Sequence, residues 1–293
     1  MDTIEVSTDT ILVTGATGQL GSAVVEALIG RGIKVRAATR LTTKIKWTKQ
    51  VQPVVFDYED PGLHKAALDR ITGLFLIAPP LDSEAPAKLI PFIDKAQEMG
   101  VKHVVFNSAL KADSDEQDPL RIIEKHLAKS GLACTILRPN FFMENFSTGW
   151  LAPMIAGGKI FIAAGDVKTS FISVSDIAEV AATVFQEKRY GTEYNLTGPE
   201  ALSYREVTKI ISDVCGRTVT YFPITEMEMM QGAREQGMSE SAIQYLVRLF
   251  ALVRKGLMAE ITDTVRKVTG KAPISFKEFA RKNADLWKVR KAA

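Results

Sequence analysis

The stretch Ile11-Leu12-Val13-Thr14-Gly15-Ala16-Thr17-Gly18-Gln19-Leu20-Gly21 carries the clearest chemical signal in the chain. An apolar run enters three glycines spaced three apart and leaves into a helical pattern. In that setting Gly15 permits the tight turn, Gly18 lets backbone N–H groups approach a pyrophosphate, and Gly21 lets helix and strand pack closely. Gly15, Thr17, Gly18, Gln19 and Leu20 are therefore the expected diphosphate cradle. An NAD-binding unit usually has a carboxylate about 20 residues further on, holding the ribose 2′-hydroxyl. Here no Asp or Glu occurs between Glu26 and Asp57, and the interval carries Arg31, Lys34, Arg36, Arg40, Lys44, Lys46 and Lys49. Arg40 stands where the acid would be. Its guanidinium can grip a 2′-phosphate in a bidentate way, with Lys44 adding a point charge. The pattern predicts NADP(H) over NAD(H).

Other candidates follow at the ends of later apolar runs. Asp57-Tyr58 suits an adenine, with a turn-initiating Asp57 as the alternative, and Ile77-Ala78-Pro79 leaves room for a cofactor. Phe142, Phe146 and Trp150 recur at four-residue spacing, with Phe141 and Met143 adjacent. A stripe of that kind fits a core as well as a pocket; as a pocket, Phe142, Met143, Phe146 and Trp150 form an apolar substrate wall. His64, His103 and His126 have no neighbours at metal or triad spacing, and Cys134 and Cys215 lie far apart without a CxxC, so no metal is expected.

The elements that must position these residues alternate. Strands are predicted at Thr10–Thr14, Ile33–Ala38, Gln52–Phe56, Gly73–Ala78, Lys102–Asn107 and Ala133–Arg138, each a near-continuous apolar run as a doubly covered parallel strand requires. Helical patterns at Gln19–Arg31, Gly62–Arg70, Ala85–Gly100 and Leu120–Ser130 lie between them. This is an α/β fold with a doubly wound, Rossmann-type parallel sheet. After Arg138 the rhythm breaks into short pieces, then a helix at Ser175–Gln186, strands at Glu193–Leu196 and Thr218–Phe222, and a helical, methionine-rich remainder. The expected division is an NADP-binding domain over 1–139, with later segments free to return to it, and a smaller C-terminal substrate-binding cap over 140–293.

Composition narrows the function classes. The 293 residues carry 37 Lys and Arg against 34 Asp and Glu, a net charge of +3 without a basic block, which leaves no electrostatic footprint for nucleic acid. The longest apolar stretches fall far short of the roughly 20 residues that span a bilayer. Residues 1–10 carry three acids and no apolar core of a secretion signal. A cytoplasmic protein acting on a small apolar molecule is expected, with no membrane association and with a homodimer left open.

At this point the chain resembles the short-chain dehydrogenase/reductase superfamily, specifically its atypical NmrA-like branch. The resemblance rests on Thr14 to Gly21, Arg40, Asn107-Ser108-Ala109, Lys111-Ala112-Asp113, Glu124-Lys125, Leu137 to Asn145 and Ala163 to Asp166. It is strongest toward the NAD(P)H:quinone oxidoreductase and triphenylmethane reductase group. It implies a reductase that transfers hydride to a flat aromatic or quinonoid acceptor. It also brings Asn107 into the cofactor-binding set and sets Asn140 and Phe141 against the nicotinamide. Superfamily members generally use Tyr-x-x-x-Lys; Lys125 falls at the lysine, but Arg121 stands at the tyrosine. The resemblance thus implies Lys125 as a cofactor-binding and catalytic residue with a pKa lowered by burial, and Ser108 as a hydrogen-bond donor to substrate oxygen, the alternative being a serine that only caps its loop. A solvated Lys125 is the alternative, because Leu120, Ile123 and Leu127 form the core stripe of that helix and Lys125 projects away from it. Two other functions stay open: an NmrA-type regulator that senses NAD(P) through a protein partner, and a reductase of one biosynthetic intermediate.

Overall fold

A computed structural model describes residues 9–44 and 48–288 of the chain. The chain runs through β1 (Thr10–Val13), α1 (Gln19–Ile29), β2 (Lys34–Thr39), β3 (Val51–Val55), α2 (Pro61–Leu68), β4 (Gly73–Ile77), α3 (Ala85–Glu98), β5 (His103–Asn107), α4 (Pro119–Lys129) and β6 (Ala133–Pro139). There follow α5 (Ala152–Ala156), β7 (Lys159–Ile162), α6 (Val174–Glu187), β8 (Glu193–Leu196), α7 (Tyr204–Cys215) and β9 (Thr220–Pro223). Four helices complete it: α8 (Glu226–Glu235), α9 (Glu240–Arg254), α10 (Thr264–Thr269) and α11 (Phe276–Trp287). It divides into two compact units. One holds the chain as far as Pro80, then Glu84–Pro139 and Val174–Asn195; the other holds Leu81–Ser83, Asn140–Ser173 and everything from Leu196 onward. Among the described residues no helix is long and apolar enough to cross a membrane.

The first unit is a doubly wound Rossmann-type sheet of seven strands in the order β3-β2-β1-β4-β5-β6-β8. β1 to β6 pair in parallel. The order reverses between β1 and β4, which is the switch point where the carboxyl ends of parallel strands leave a crevice. Pro53 lies in β3, at the sheet edge where a missing N–H breaks no ladder. On one face Ala67, Leu68, Leu89, Phe92, Ile93, Ile123 and Leu127 of α2, α3 and α4 pack on Leu12, Leu74, Leu76, Val104 and Phe106. On the other, α1 and α6 pack together. There the Phe185 ring comes so near Gly73 that a Cβ at that position would lie 3.0 Å from it. Arg36 reaches from β2 to the carbonyls of Ala66, Ala67 and Asp69, closing the end of α2 where no intrahelical donors remain.

The second unit is organised by aromatic rings. Phe146 meets Phe171 and Phe276 edge-to-face at 5.2 Å each, and Phe171 meets Tyr204 at 5.5 Å. The Trp287 indole N–H donates to Phe146 O at 2.8 Å. β7 and β9 form a separate two-stranded parallel sheet. The sequence does not announce β7: its Lys159-Ile160-Phe161-Ile162 alternation is too short to separate from a turn.

Candidate functional site

The glycine loop joins β1 to α1 with Gly15 in the left-handed region at φ 60°. Gly18 is the N-cap of α1 and offers no side-chain oxygen to its first turn, which also contains no acid. The N–H groups of that turn have no intrahelical acceptors, and the positive end of the helix dipole lies there. The cradle fits a diphosphate on one further observation: a Cβ at Gly21 would lie 2.1 Å from Gly15 O and 2.6 Å from Gly15 C, so only glycine lets the helix close on the loop. Gly15, Thr17 and Gly18 are exposed and Gln19 is half-buried, whereas Leu20 is buried in the core and offers only its backbone. Thr14 anchors the turn from below. Its hydroxyl donates to Phe75 O at 3.2 Å and accepts from Ile77 N at 2.9 Å, binding β1 to β4.

At the end of β2 the Thr39 hydroxyl accepts from Leu41 N at 3.2 Å, fixing the turn that carries Arg40. Arg40 is exposed and, among the described residues, has neither ion pair nor hydrogen bond. Lys44 ends the short 3₁₀ turn Thr42–Lys44, and its side chain lies outside what the structure describes. Asp57 accepts from Glu59 N at 3.1 Å, the local bond of a turn-forming aspartate. The Tyr58 hydroxyl donates to Ile77 O at 2.8 Å and its ring packs edge-on against Phe56 and Phe92, so burial raises its pKa and its polar end is committed within the sheet. Ile77, Ala78 and Pro79 are half-buried at the switch point, with Ile77 Cδ1 3.8 Å from the position of a Cβ on Gly15.

The ends of β5 and β6 hold a network of buried charge that the sequence reading passes over. Arg138 Nε and Nη2 donate to Glu124 Oε1 and Oε2 at 2.9 and 2.7 Å, two parallel bonds of the fork-on-fork kind. Arg121 Nη1 adds a bond to Glu124 Oε2 at 3.1 Å, and Arg138 also pairs with Asp113 and Glu193 at 3.0 and 2.8 Å. Glu124 is 3% exposed. Burial alone would push its carboxyl up, but the bonds from Arg138 and Ser108, with the Arg138 charge, outweigh that and hold it below the usual carboxylate range. The signal was legible in part: an arginine inside an apolar strand and a glutamate beside a core stripe require each other.

Two expectations change here. Ser108 is buried, and its hydroxyl donates to Glu124 Oε1 at 2.6 Å, so its one proton is not available to a substrate oxygen. Lys125 is not buried: its side chain is 46% exposed and its ammonium lies 2.5 Å from Glu116. The burial expected of it is not found. Arg121, at the tyrosine position, is bound to Glu116 and Glu124. Asn107 ends β5 with Oδ1 buried and without a partner.

In the second unit Asn140 is internally satisfied. Its Nδ2 donates to Ser170 Oγ at 2.7 Å and Met258 O at 2.8 Å, and its Oδ1 accepts from Phe141 N at 2.9 Å. Its side chain therefore braces the unit. Phe141 and Phe142 are half-buried, with the Phe141 ring 5.8 Å from Phe250. The stripe at 142, 146 and 150 does not share one face, because only the 3₁₀ turn Met143–Phe146 is helical there. Phe146 and Met143 are wholly buried core, while Trp150 is 43% exposed; these two core side chains are not a substrate wall.

The reversed strand order, the glycine cradle and the open N-terminus of α1 define a dinucleotide-binding α/β unit. The family model "NmrA-like family" matches residues 7–280, and the chain belongs to that family. An NAD(P)H azoreductase of Xenophilus azovorans is 32% identical over 283 residues, 94% of this chain and 98% of that one. The prestalk A differentiation protein A of Dictyostelium discoideum is 34% identical over 277 residues, 92% and 91% of the two chains. The NADPH-dependent quinone oxidoreductase QOR2 of Escherichia coli, solved with NADPH, superposes with a TM-score of 0.78 at 25% identity, over 94% of this chain and 99% of that one.

Proposed function

We propose that the protein is an NADPH-dependent reductase passing hydride to a flat, apolar, electron-poor acceptor, aromatic or quinonoid. One observation carries the reading. A single unit combines an open glycine cradle with an exposed guanidinium that has no partner among the described residues, at the strand end where an NAD-binding unit keeps a carboxylate. The azoreductase and quinone oxidoreductase among its relatives support the oxidoreductase class.

When bound, the dihydronicotinamide supplies the hydride. The first turn of α1 holds the diphosphate through backbone N–H groups. Arg40 grips the 2′-phosphate and Lys44 adds charge. Ile77, Ala78 and Pro79 leave the crevice between β1 and β4 open. At the positions where the superfamily keeps its proton donors, Ser108 is bound to Glu124, Lys125 is paired with Glu116, and Arg121 stands in place of a phenol. That favours acceptors electrophilic enough to take hydride without a proton relayed from these groups.

The same engagement favours a second reading, a regulator that binds the dinucleotide without turning it over and signals to a protein partner. Calorimetric titration with NADPH and NADH, followed by a quinone and dye panel monitored by loss of NADPH absorbance, separates the two. Binding with oxidation supports the reductase. Binding without oxidation across the panel supports the regulator. Absence of binding by either nucleotide at millimolar concentration refutes both.

A further inference from the structure

Glu124 and Arg138 would satisfy each other without Ser108, yet the Ser108 hydroxyl makes the shortest bond to that carboxylate, 2.6 Å against 2.7 to 3.1 Å for the guanidinium donors. A buried ion pair is by itself weak evidence for a stabilising role. What the added bond changes is Ser108. A hydroxyl has one proton and two lone pairs, so with the proton on Glu124 Oε1 the remaining capacity is acceptor only. The main chain at this position is held as well, with Ser108 N tied to Leu137 O at 2.8 Å, one residue before Arg138. The preceding residue repeats the polarity: Asn107 Oδ1 is buried without a partner, while its Nδ2 lies 3.4 Å from Ser108 O. The carboxyl end of β5 thus offers the Ser108 hydroxyl oxygen and Asn107 Oδ1 as acceptors.

We propose that Glu124 is a positioning residue that fixes the Ser108 hydroxyl as a hydrogen-bond acceptor, so that the end of β5 recognises an N–H or O–H of the bound nucleotide. This rests on the reading that a dinucleotide lies across the carboxyl ends of these strands. The polarity persists across the ordinary pH range. The charged groups facing Glu124 are Arg138 and Arg121; behind them stand Asp113 and Glu193 on Arg138, and Glu116, itself paired with Lys125, on Arg121. The two guanidiniums keep the carboxylate ionised.

A double-mutant cycle on the full chain tests it, with NADPH titrated calorimetrically into wild type, Ser108→Ala, Glu124→Gln and the double variant, and thermal midpoints recorded for each. In Glu124→Gln an amide oxygen kept on Arg138 Nη2 puts the amide nitrogen where Oε1 now accepts from both Ser108 and Arg138 Nε, so the Ser108 hydroxyl reverses its polarity and one Arg138 bond is lost. Each single variant is expected to weaken NADPH binding about tenfold, and the double variant to be no weaker than the weaker single. Factors that multiply in the double variant overturn the proposal, since a Glu124 that only supports the fold acts equally with or without the hydroxyl. NADPH affinity of Ser108→Ala within about twofold of wild type overturns it as well. Should Glu124→Gln fail to fold, Ser108→Thr decides: it keeps an acceptor oxygen and must bind NADPH like wild type while Ser108→Ala does not. Equal binding by these two overturns the proposal. If wild type itself binds neither nucleotide, the dinucleotide reading fails and the proposal falls with it; binding by wild type without coupling refutes the proposal alone.

Discussion

Replacing Arg40 with alanine isolates the choice of nucleotide. Arg40 is exposed and bonds to nothing among the described residues, so its removal breaks no internal contact. The change in stability is expected to stay within about 0.5 kcal/mol, as for surface sites of this kind. Its effect on binding is the loss of a charge-assisted, bidentate contact, about 1.5–3 kcal/mol, or roughly 10- to 150-fold in the NADPH dissociation constant. NADH has no 2′-phosphate to lose and is expected to bind as before. Because the contact is at the surface, the NADPH penalty is expected to shrink as salt shortens the screening length toward a few ångströms near 1 M. Paired titrations of NADPH and NADH at low and high salt, on wild type and Arg40→Ala, measure all of this. If both nucleotides weaken by the same factor, or NADPH affinity is unchanged, the assignment of Arg40 to the 2′-phosphate is wrong.

Four further outcomes are expected. Gly21→Ala forces a Cβ to 2.1 Å from Gly15 O, so the loop and α1 must separate; about 1–3 kcal/mol of stability is lost in denaturant titration, and NADPH affinity falls with it. Arg138→Met leaves the buried Glu124 carboxylate short of its main partner, and urea unfolding is expected to register a loss of about 3–5 kcal/mol. Burial pushes His103 down from 6.5 to about 4, so below pH 6.5 the unfolded chain takes up a proton that the folded chain refuses. Stability from this group is intact above pH 6.5 and lost as pH falls toward 4, by about 3 kcal/mol, and His103→Gln should flatten that part of the curve of unfolding free energy against pH. Lys125→Met removes one half-exposed surface pair, so its thermal midpoint and NADPH affinity are expected to stay near wild type, a change under about 1 kcal/mol. A large loss of NADPH affinity would restore Lys125 to the site.

Periodicity read the sheet well because buried parallel strands leave continuous apolar runs. Leu12, Leu74, Leu76, Val104 and Phe106 sit in the core where such runs predict them. The glycine loop was equally legible, since a turn at positive φ and a helix packed directly on it tolerate few residues besides glycine. Side-chain direction was not. Nothing in Asn140 tells that Ser170 and Met258, distant in sequence, will use both donors of its amide. Spacing of Phe142, Phe146 and Trp150 assumed a helix that the chain does not form, so one ring became core and another faced outward. Lys125 is the reverse case: the helical wheel placed it correctly on the solvent side, and the superfamily position misdirected the expectation of burial.

The first unit is discontinuous, and that governs how the chain can be made and cut. Residues through Pro139 supply six strands, but α6 and β8 arrive only with Val174–Asn195. Until then Gly73 lacks the Phe185 ring, and β6 presents an open edge whose later cover includes the bond from Ile136 N to Thr192 O. On the ribosome the sheet therefore waits for about fifty residues of intervening chain, at 5–20 residues per second a delay of several seconds with an uncapped edge. A fragment ending at Pro139 is accordingly a poor choice for isolating the nucleotide-binding unit; a fusion that carries Val174–Asn195 back onto it is the minimal design.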